Sequence, residues 1–325
     1  MEKLLPVKPN NCSPFFTPDC ALNTAAKFGY VNTKTAKTIF LAITLLISFF
    51  SAQAVTKTWT GATNNDWNTG SNWGGTAPVA GDDALIPGGL TNYPIINNTV
   101  SILTISINSS GTGASVTVTT GGALTVSGLI TVNANGTFTV NGGTATLAGI
   151  SASGTVAVSG GTITSTSNFT LNSGATLTQS DGVIHLATTT GTLPTDNLLI
   201  NSGAILTQSG GTLTIKDYLA GAGTFNQTGA GALCKVYRHW KPGTGSVFNS
   251  TAGTVQFTGT STAADFAAGT RQFSNIIIDA GVSPDLSGTA GSTITVSGNF
   301  TNNNATLAAQ TALTITLNGS GTQNF

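Results

Sequence analysis

Residues Asn172–Leu186, with the sequence NSGATLTQSDGVIHL, recur as Asn201–Ile215, with the sequence NSGAILTQSGGTLTI. The two copies align without gaps at an offset of 29, with nine identities in fifteen positions. In both, aliphatic residues alternate with polar residues over four to six positions, and Gly, Asn and Ser stand between these runs. Period-two alternation bounded by such residues predicts short β-strands joined by turns.

The same pattern extends on both sides of this pair. Asn135–Gly142 (NGTFTVNG) recurs as Ser153–Gly160 (SGTVAVSG) at an offset of 18. Repeats at offsets of 18 to 29 are typical of the coils of a solenoid. Each unit offers two or three inward aliphatic residues, too few for a core of its own, but coils stacked about 4.8 Å apart form continuous apolar ladders. We therefore predict an all-β fold, a parallel β-helix. A Gly-rich β-sandwich is the alternative, because one sequence does not determine which strands pair.

The regions before and after the repeats complete this organisation. Residues 55–98 hold three of the four tryptophans and are predicted to form a cap that closes the N-terminal end of the apolar column. Residues 99–232 are predicted to form solenoid coils, and residues 233–325 further coils that stop part-way into a unit, which predicts a truncated product.

Several loose motifs point to a family. The cap contains Trp59-Thr-Gly, Asp66-Trp67, Asn72-Trp73, Pro78, Asp82-Asp83, Ile86-Pro87 and Tyr93-Pro94, and the later repeats contain Thr254–Gly259, Phe273–Asp279 and Val296–Thr301. Together they resemble the secreted or surface-displayed β-helix repeat proteins of Bacteroidetes bacteria, over most of the chain after residue 54. The resemblance implies an adhesin-like protein at the outer membrane or cell surface, exported as cargo of the type IX secretion system.

An apolar run near the N-terminus predicts export. Residues 39–50 form this run, which follows Lys34 and Lys37 and precedes Ser51-Ala52-Gln53-Ala54. It is shorter than the roughly 20 residues of a membrane-spanning helix, and the Ala-x-Ala pattern suits signal peptidase. We predict a signal peptide over residues 31–54, cut after Ala54, and a mature chain that is secreted or on the cell surface, with no transmembrane helix. Residues 1–30 are interpreted as a gene-model extension.

The mature chain is poor in charge. Charged residues make up 7% of the sequence, and residues 55–325 contain nine Asp, no Glu and six basic residues, a net charge of −3. This composition predicts no nucleic-acid partner, because it lacks a basic footprint. Cys234 is the only cysteine after residue 54, which excludes an internal disulfide in the mature chain.

The acidic and histidine residues do not predict a catalytic or metal site. Enzymes built on β-helices, such as polysaccharide lyases and hydrolases, need clustered Asp groups. Asp181 is near His185 in the sequence, whereas Asp265, Arg271, Asp279 and Asp285 are strung over twenty-one positions. We interpret them as solvated corner residues and predict no catalytic residue, no metal and no cofactor, keeping a lyase or hydrolase as an alternative.

Two groups of residues are candidates for ligand binding. Cys234–Pro242 is the only basic and aromatic cluster, and it could hold an acidic sugar through Tyr237, Arg238 and Trp240. The cap tryptophans Trp59, Trp67 and Trp73 could form a sugar-stacking platform, although cap packing is the favoured interpretation.

These observations favour a non-enzymatic, structural or adhesin-like extracellular protein with a Thr-, Ser- and Asn-rich surface, whose partners are surface glycans or other cell-surface molecules. A carbohydrate-binding module is the alternative. Ice binding through repeated Thr-x-Thr pairs is a further option, against which the uneven spacing of the pairs argues, because it predicts no single aligned face.

Overall fold

The structure is a computed structural model that describes residues 54–186, 198–259, 263–264, 270–282, 292–303, 313–321 and 323–324. The predicted gene-model extension and signal peptide therefore lie outside the described residues, apart from Ala54. The described residues form strands, turns and one 3-10 helix, Gly70–Trp73, with no α-helix among them. Within this part of the chain, no helix is long and apolar enough to cross a membrane.

The described residues contain 28 strands in one sheet. In chain order, the first fourteen are β1 (Thr56–Thr58), β2 (Asp83–Ile86), β3 (Ile95–Ile96), β4 (Thr99–Ile102), β5 (Thr104–Ile107), β6 (Ser115–Thr119), β7 (Ala123–Val132), β8 (Thr137–Asn141), β9 (Thr144–Ala152), β10 (Thr155–Ser165), β11 (Phe169–Leu171), β12 (Thr176–Leu186), β13 (Leu198–Ile200) and β14 (Ile205–Gln208). The remaining strands are β15 (Thr212–Ile215), β16 (Tyr218–Gly221), β17 (Thr224–Gln227), β18 (Leu233–Val236), β19 (His239–Pro242), β20 (Val247–Ser250), β21 (Thr254–Phe257), β22 (Ala263–Ala264), β23 (Thr270–Phe273), β24 (Asn275–Ile278), β25 (Ser292–Val296), β26 (Phe300–Asn302), β27 (Leu313–Leu317) and β28 (Gln323–Asn324).

These strands lie on three faces, which the chain visits in turn. Face 1 contains β1, β2, β5, the second parts of β7 and β9, then β11, β13, β16, β19 and β22. Face 2 contains β3, β6, β8, the first parts of β10 and β12, then β14, β17, β20, β23, β25 and β27. Face 3 contains β4, the first parts of β7 and β9, the second parts of β10 and β12, then β15, β18, β21, β24, β26 and β28.

Every pairing between these strands is parallel, and each strand pairs with the strands one turn before and after it. The prediction of a parallel β-helix is therefore confirmed, whereas a β-sandwich would pair its strands antiparallel. From β2 to β24 the described strands make nine complete turns. At about 4.8 Å a turn this stack is about 40 Å tall.

The strand register reproduces the sequence repeats. Thr176 lies opposite Ile205, and Val183 lies opposite Thr212, which is the predicted offset of 29. The shorter offset of 18 is also confirmed, because Thr137 lies opposite Thr155.

The apolar core is a column of stacked side chains inside the three faces. On face 3 one ladder runs from Val100 through Leu124, Ala145 and Ile163 to Ile184, and each of these side chains is at most 4% exposed. Because alternate residues of a strand point to opposite faces, the Thr and Ser residues between them point outward. The stack thus buries side chains that one turn could not bury alone.

A polar ladder interrupts this core on face 2. Gln179, Gln208 and Gln227 lie opposite one another on successive turns and are at most 1% exposed. The Nε2 of Gln208 donates to Oε1 of Gln179 at 3.2 Å, and the Nε2 of Gln227 donates to Oε1 of Gln208 at 3.1 Å. Ser250 closes the series by donating its hydroxyl to Oε1 of Gln227 at 3.0 Å. Each amide also donates to backbone carbonyls at the corner between faces 2 and 3, so these buried polar groups are hydrogen-bonded.

The N-terminal end of the column is covered by tryptophans. The ring of Trp73 packs edge-to-face on Trp59 and Trp67, with centroids 5.0 and 4.8 Å apart. The indole N–H of Trp73 donates to the Trp67 carbonyl at 2.6 Å, and that of Trp59 donates to the Asn92 carbonyl at 2.8 Å. The predicted cap range, 55–98, also contributes β2 and β3 to the first complete turn, so the stack begins inside that range.

Candidate functional site

The strongest cluster of charged and aromatic side chains lies at the corner between faces 3 and 1. Two consecutive turns pass this corner, one with Lys216, Asp217 and Tyr218 and the next with Tyr237, Arg238 and His239. We call these six residues the basic corner. Tyr218 lies opposite His239 in the register of β16 and β19, so each residue of the first turn is stacked on one of the second.

Three stacked contacts hold the basic corner together. The Lys216 ammonium lies 3.2 Å from the centroid of the Tyr237 ring, a cation–π contact. Arg238 forms an ion pair with Asp217 at 3.1 Å, in which the Asp217 side chain is 2% exposed and the Arg238 side chain 47%. The ring centroids of Tyr218 and His239 are 4.2 Å apart. The buried carboxylate therefore holds the guanidinium at the corner while about half of that side chain remains in solvent.

Two further cations flank the basic corner, one on each face. Lys235 lies on face 3 in β18, between Thr214 and Gln256, and Lys241 lies on face 1 in β19, opposite Ala220. Lys241 is exposed and Lys235 is partly exposed, and neither forms an ion pair within the described residues. Four of the six basic residues of segment 55–325 therefore lie between positions 216 and 241, with Asp217 as the only acid between those positions.

His185 adds no positive charge to this region at neutral pH. It points outward on face 3 one turn below Thr214. Its pKa is lowered from the ordinary value, first by burial and then by the positive charge of Lys216. That shift favours the neutral imidazole of His185.

Gly259 packs closely against the side chain of Tyr237. Gly259 has φ +71°, and a Cβ at this position would lie 2.7 Å from Cδ1 of Tyr237. The Tyr237 ring is thus in contact with a lysine and with bare backbone, which fixes its position in the basic corner.

The predicted ligand-binding residues separate into two groups in the structure. Tyr237 and Arg238 reach solvent at the basic corner, whereas Trp240 points inward and is 1% exposed, packed on Phe248 at 4.9 Å between ring centroids. Trp59, Trp67 and Trp73 are 0%, 1% and 5% exposed, so their rings have no free face for a sugar. Trp240 is buried because alternate side chains of its strand point into the column. The other three tryptophans are buried because they pack together where the cap closes the end of the column. Lys216, Asp217 and Tyr218 were not predicted from the sequence, where their only signal is a spacing of 21 residues from Tyr237, Arg238 and His239.

The acidic residues considered for catalysis are dispersed where the structure describes them. Asp181 lies at the corner after the first part of β12, and Asp279 follows β24 four turns later, about 19 Å along the stack. Asp279 accepts two hydrogen bonds from the Gln256 amide, both at 2.9 Å. Asp265 and Asp285 lie outside the described residues. Among the described residues, no group of three or more His, Cys, Asp or Glu side chains could hold a metal ion.

Arg271 and Cys234 are both buried inside the column, where they do not reach solvent. Arg271 points into the column opposite Phe248, is 3% exposed, and donates to the Ser246 hydroxyl at 2.8 Å; burial lowers its pKa. Cys234 is fully buried in the face 3 ladder, and burial raises the pKa of its thiol, which disfavours the reactive thiolate.

The Thr-x-Thr pairs do not share one face, as their uneven spacing predicted: the pairs 144/146, 162/164 and 212/214 lie on face 3 and the other five on face 2. Residues that carry a hydroxyl are nevertheless aligned along face 2. The outward positions of five successive turns are Ser115 and Thr117, Thr137 and Thr139, Thr155 and Ala157, Thr176 and Thr178, and Ile205 and Thr207. Eight of these ten residues carry a hydroxyl, and the hydroxyls of Thr155 and Thr176 are 3.1 Å apart. The alignment arises because the extra residues of the longer turns lie between strands, so the strands themselves keep register.

An open depression of about 340 Å³ lies at the corner between faces 3 and 1 in the N-terminal half of the stack. Gly128 and Gly149 leave space there, Leu129 and Ile150 line it with apolar surface, and Asn168 supplies a polar side chain. The lining contains no charged and no aromatic residue, so it offers shape and weak hydrogen bonding without a strong anchor.

Comparisons with known proteins give a partial match. Residues 58–170 match the family model described as a Domain of unknown function, DUF8693. This range covers most of the cap and the turns up to β11, and therefore includes the depression, whereas the basic corner lies after it. A search of curated proteins found no match, and a search of solved structures found none either.

Proposed function

We propose that this chain is a non-enzymatic, extracellular, adhesin-like repeat protein whose stacked turns present side chains to surface glycans. The supporting observation is the division between an apolar column inside and outer positions occupied mainly by Thr, Ser and Asn. A regular surface of neutral hydrogen-bonding groups suits many weak contacts with a repetitive ligand such as a glycan. The basic corner is the one described place where charge and aromatic rings are concentrated.

Adhesion is tested with beads that carry the protein at equal density, in its native form and after heat unfolding. Native beads are expected to remain on glycan-coated surfaces under flow, because the binding groups are arranged by the turns. Unfolded beads should wash off. Equal retention of both kinds would contradict the proposal, since it would show nonspecific adsorption.

Export is proposed from the leader, with cleavage after Ala54, as in the Bacteroidetes proteins that the sequence resembles. Expression of the whole reading frame in a Bacteroidetes host that has a type IX system should yield extracellular protein that begins at Val55. Substitution of Ala54→Leu should retain residues 31–54, because signal peptidase requires a small residue at that position. A full-length product that stays inside cells would contradict this part of the proposal.

A polysaccharide lyase or hydrolase remains the enzymatic alternative. It predicts shorter chains, or new unsaturated ends, after prolonged incubation of the protein with polygalacturonate. The separation of Asp181 from Asp279 supports the non-enzymatic proposal, because an acid and a base acting on one bond must both reach it. Release of oligosaccharides by the purified protein would overturn the proposal.

Ice binding is a second candidate function, favoured by the aligned hydroxyls on face 2. The array repeats along the strand and again along the stack, which suits a ligand that is periodic in two directions, such as the surface of an ice crystal. Thermal hysteresis and slowed recrystallisation are expected from the protein, and Thr139→Lys in the middle of the array should abolish both. Ser106→Lys on face 1 is the matched control and should leave them unchanged. Absence of hysteresis in the unsubstituted protein would exclude this candidate.

A further inference from the structure

We infer that the basic corner, with Lys235 and Lys241 on its two sides, binds an acidic polysaccharide that carries carboxylate or sulfate groups on successive sugars. The inference rests on the proposed function and names the ligand class for one site.

The first argument is the concentration of positive charge. Lys216, Lys235, Arg238 and Lys241 lie within two adjacent turns, and Asp217 is the only acid among them. The Asp217 carboxylate is buried beneath Arg238 and offsets part of its charge, so the three lysines carry most of the positive charge that a ligand in solvent meets. Segment 55–325 otherwise has two basic residues and eight acids, so this is a local positive region on a chain of net negative charge.

The second argument is the geometry of the cations. Lys216 and Arg238 stand at the same corner on successive turns, about 4.8 Å apart along the stack. Lys235 and Lys241 lie on the two faces that meet at this corner. One sugar residue of an extended chain is about as long as one turn is high, so acidic groups on neighbouring sugars can each reach a different cation.

The third argument concerns the surroundings. Thr214 lies directly beside Lys235 on face 3, and its hydroxyl can form a hydrogen bond with a sugar hydroxyl. One face of the Tyr237 ring already carries the Lys216 ammonium, so that face is not open for a nucleic-acid base to stack on. A polyanion with hydroxyl groups therefore fits this surface better than a nucleic acid.

The test is a binding titration of the intact protein with polygalacturonate, dextran sulfate, neutral dextran and single-stranded DNA. Polygalacturonate or dextran sulfate should bind, with affinity that falls as salt is added, because exposed ion contacts are screened. Neutral dextran should not bind at this site, and DNA should bind more weakly than the acidic polysaccharides.

The decisive variant is Lys235→Gln with Lys241→Gln, since neither side chain supports the folded corner through an ion pair within the described residues. The double variant is expected to weaken polysaccharide binding about fivefold to tenfold. The control is Lys57→Gln, which removes one positive charge at a distant site where Lys57 donates to Thr76. Circular dichroism should show that both variants keep the strand content of the original chain.

Three results would overturn the inference: absence of binding to either acidic polysaccharide, equal or tighter binding of DNA, or an equal loss in Lys57→Gln and the double variant. The bead assay keeps this failure separate from failure of the proposed function. If native beads adhere to glycan surfaces but the double variant adheres equally well, the adhesin proposal stands and the basic corner is not its acidic-glycan site.

Discussion

Gln208 lies fully inside the solenoid although its side chain is polar. It donates to Oε1 of Gln179 and to two backbone carbonyls, and it accepts from Nε2 of Gln227. A ladder of amides in register satisfies its hydrogen bonds only when neighbouring turns are aligned residue by residue. The ladder therefore favours one register of neighbouring turns over the alternatives, and it does so more strongly than a purely aliphatic column would.

Substitution of Gln208→Leu should lower the free energy of unfolding by about 1–3 kcal/mol, because it leaves buried donors and acceptors on Gln179, Gln227 and the corner without partners. Denaturant unfolding monitored by circular dichroism measures the change. Thr207→Val, at the adjacent outward position, is the control and should change stability by less than about 0.5 kcal/mol. Equal effects would show that the ladder contributes nothing specific.

The cap tryptophans are packing residues in the structure, which gives a second prediction at this scale. Trp73→Ala removes a ring that contacts both Trp59 and Trp67 and should destabilise the protein by about 3–5 kcal/mol. Glycan binding by the protein that remains folded should be unchanged in the same titration. Normal stability combined with lost binding would instead support the sugar-stacking platform. Val79→Ala, at a residue that is 64% exposed, serves as the control.

The corners are the elements that decide how closely turns can stack. At the corner between faces 2 and 3, Gly161, Gly182 and Gly211 occur on successive turns with φ of +69°, +74° and +70°. A Cβ on Gly182 would lie 2.5 Å from the Gly161 carbonyl oxygen. Glycine is required here both by the backbone conformation and by the close approach of the neighbouring turn.

Two alanine substitutions separate these requirements. Gly174 also has a positive φ, +82°, but a Cβ there would have no neighbour within 4 Å. Gly174→Ala should therefore destabilise by about 1–2 kcal/mol through conformation alone, whereas Gly182→Ala should lower the melting temperature clearly more. Thermal unfolding of the two variants side by side measures the difference. A larger loss in Gly174→Ala would contradict the stacking argument.

The whole solenoid is held by contacts between neighbouring turns, so a local defect should have a local effect. Leu213 is fully buried on face 3 between Ile184 and Cys234. Leu213→Asp places an unpaired charge in the column and should open the turns next to it.

Hydrogen exchange followed by mass spectrometry measures this effect. Protection should fall in residues 198–236 and persist in residues 83–147, because those turns keep their own neighbours. Thr212→Asp at the adjacent outward position is the control and should leave protection in both ranges. A uniform loss along the stack in Leu213→Asp would show that the solenoid unfolds as one cooperative unit.

Three features of the sequence were enough to predict a capped parallel β-helix: the alternation of aliphatic and polar residues, the offsets of 18 and 29, and the position of the tryptophans. The alternation is informative because the inward and outward positions of a strand follow directly from period two. The sequence could not predict that Gln179, Gln208 and Gln227 point inward, because their hydrogen-bond partners belong to other turns. The sequence also could not predict that Lys216 and Asp217 contact Tyr237 and Arg238, because these residues belong to different turns. For the same reason it could not predict that the hydroxyls of face 2 are aligned. Only the register of the stacked turns decides those contacts, and register is a property of paired strands and not of any one segment.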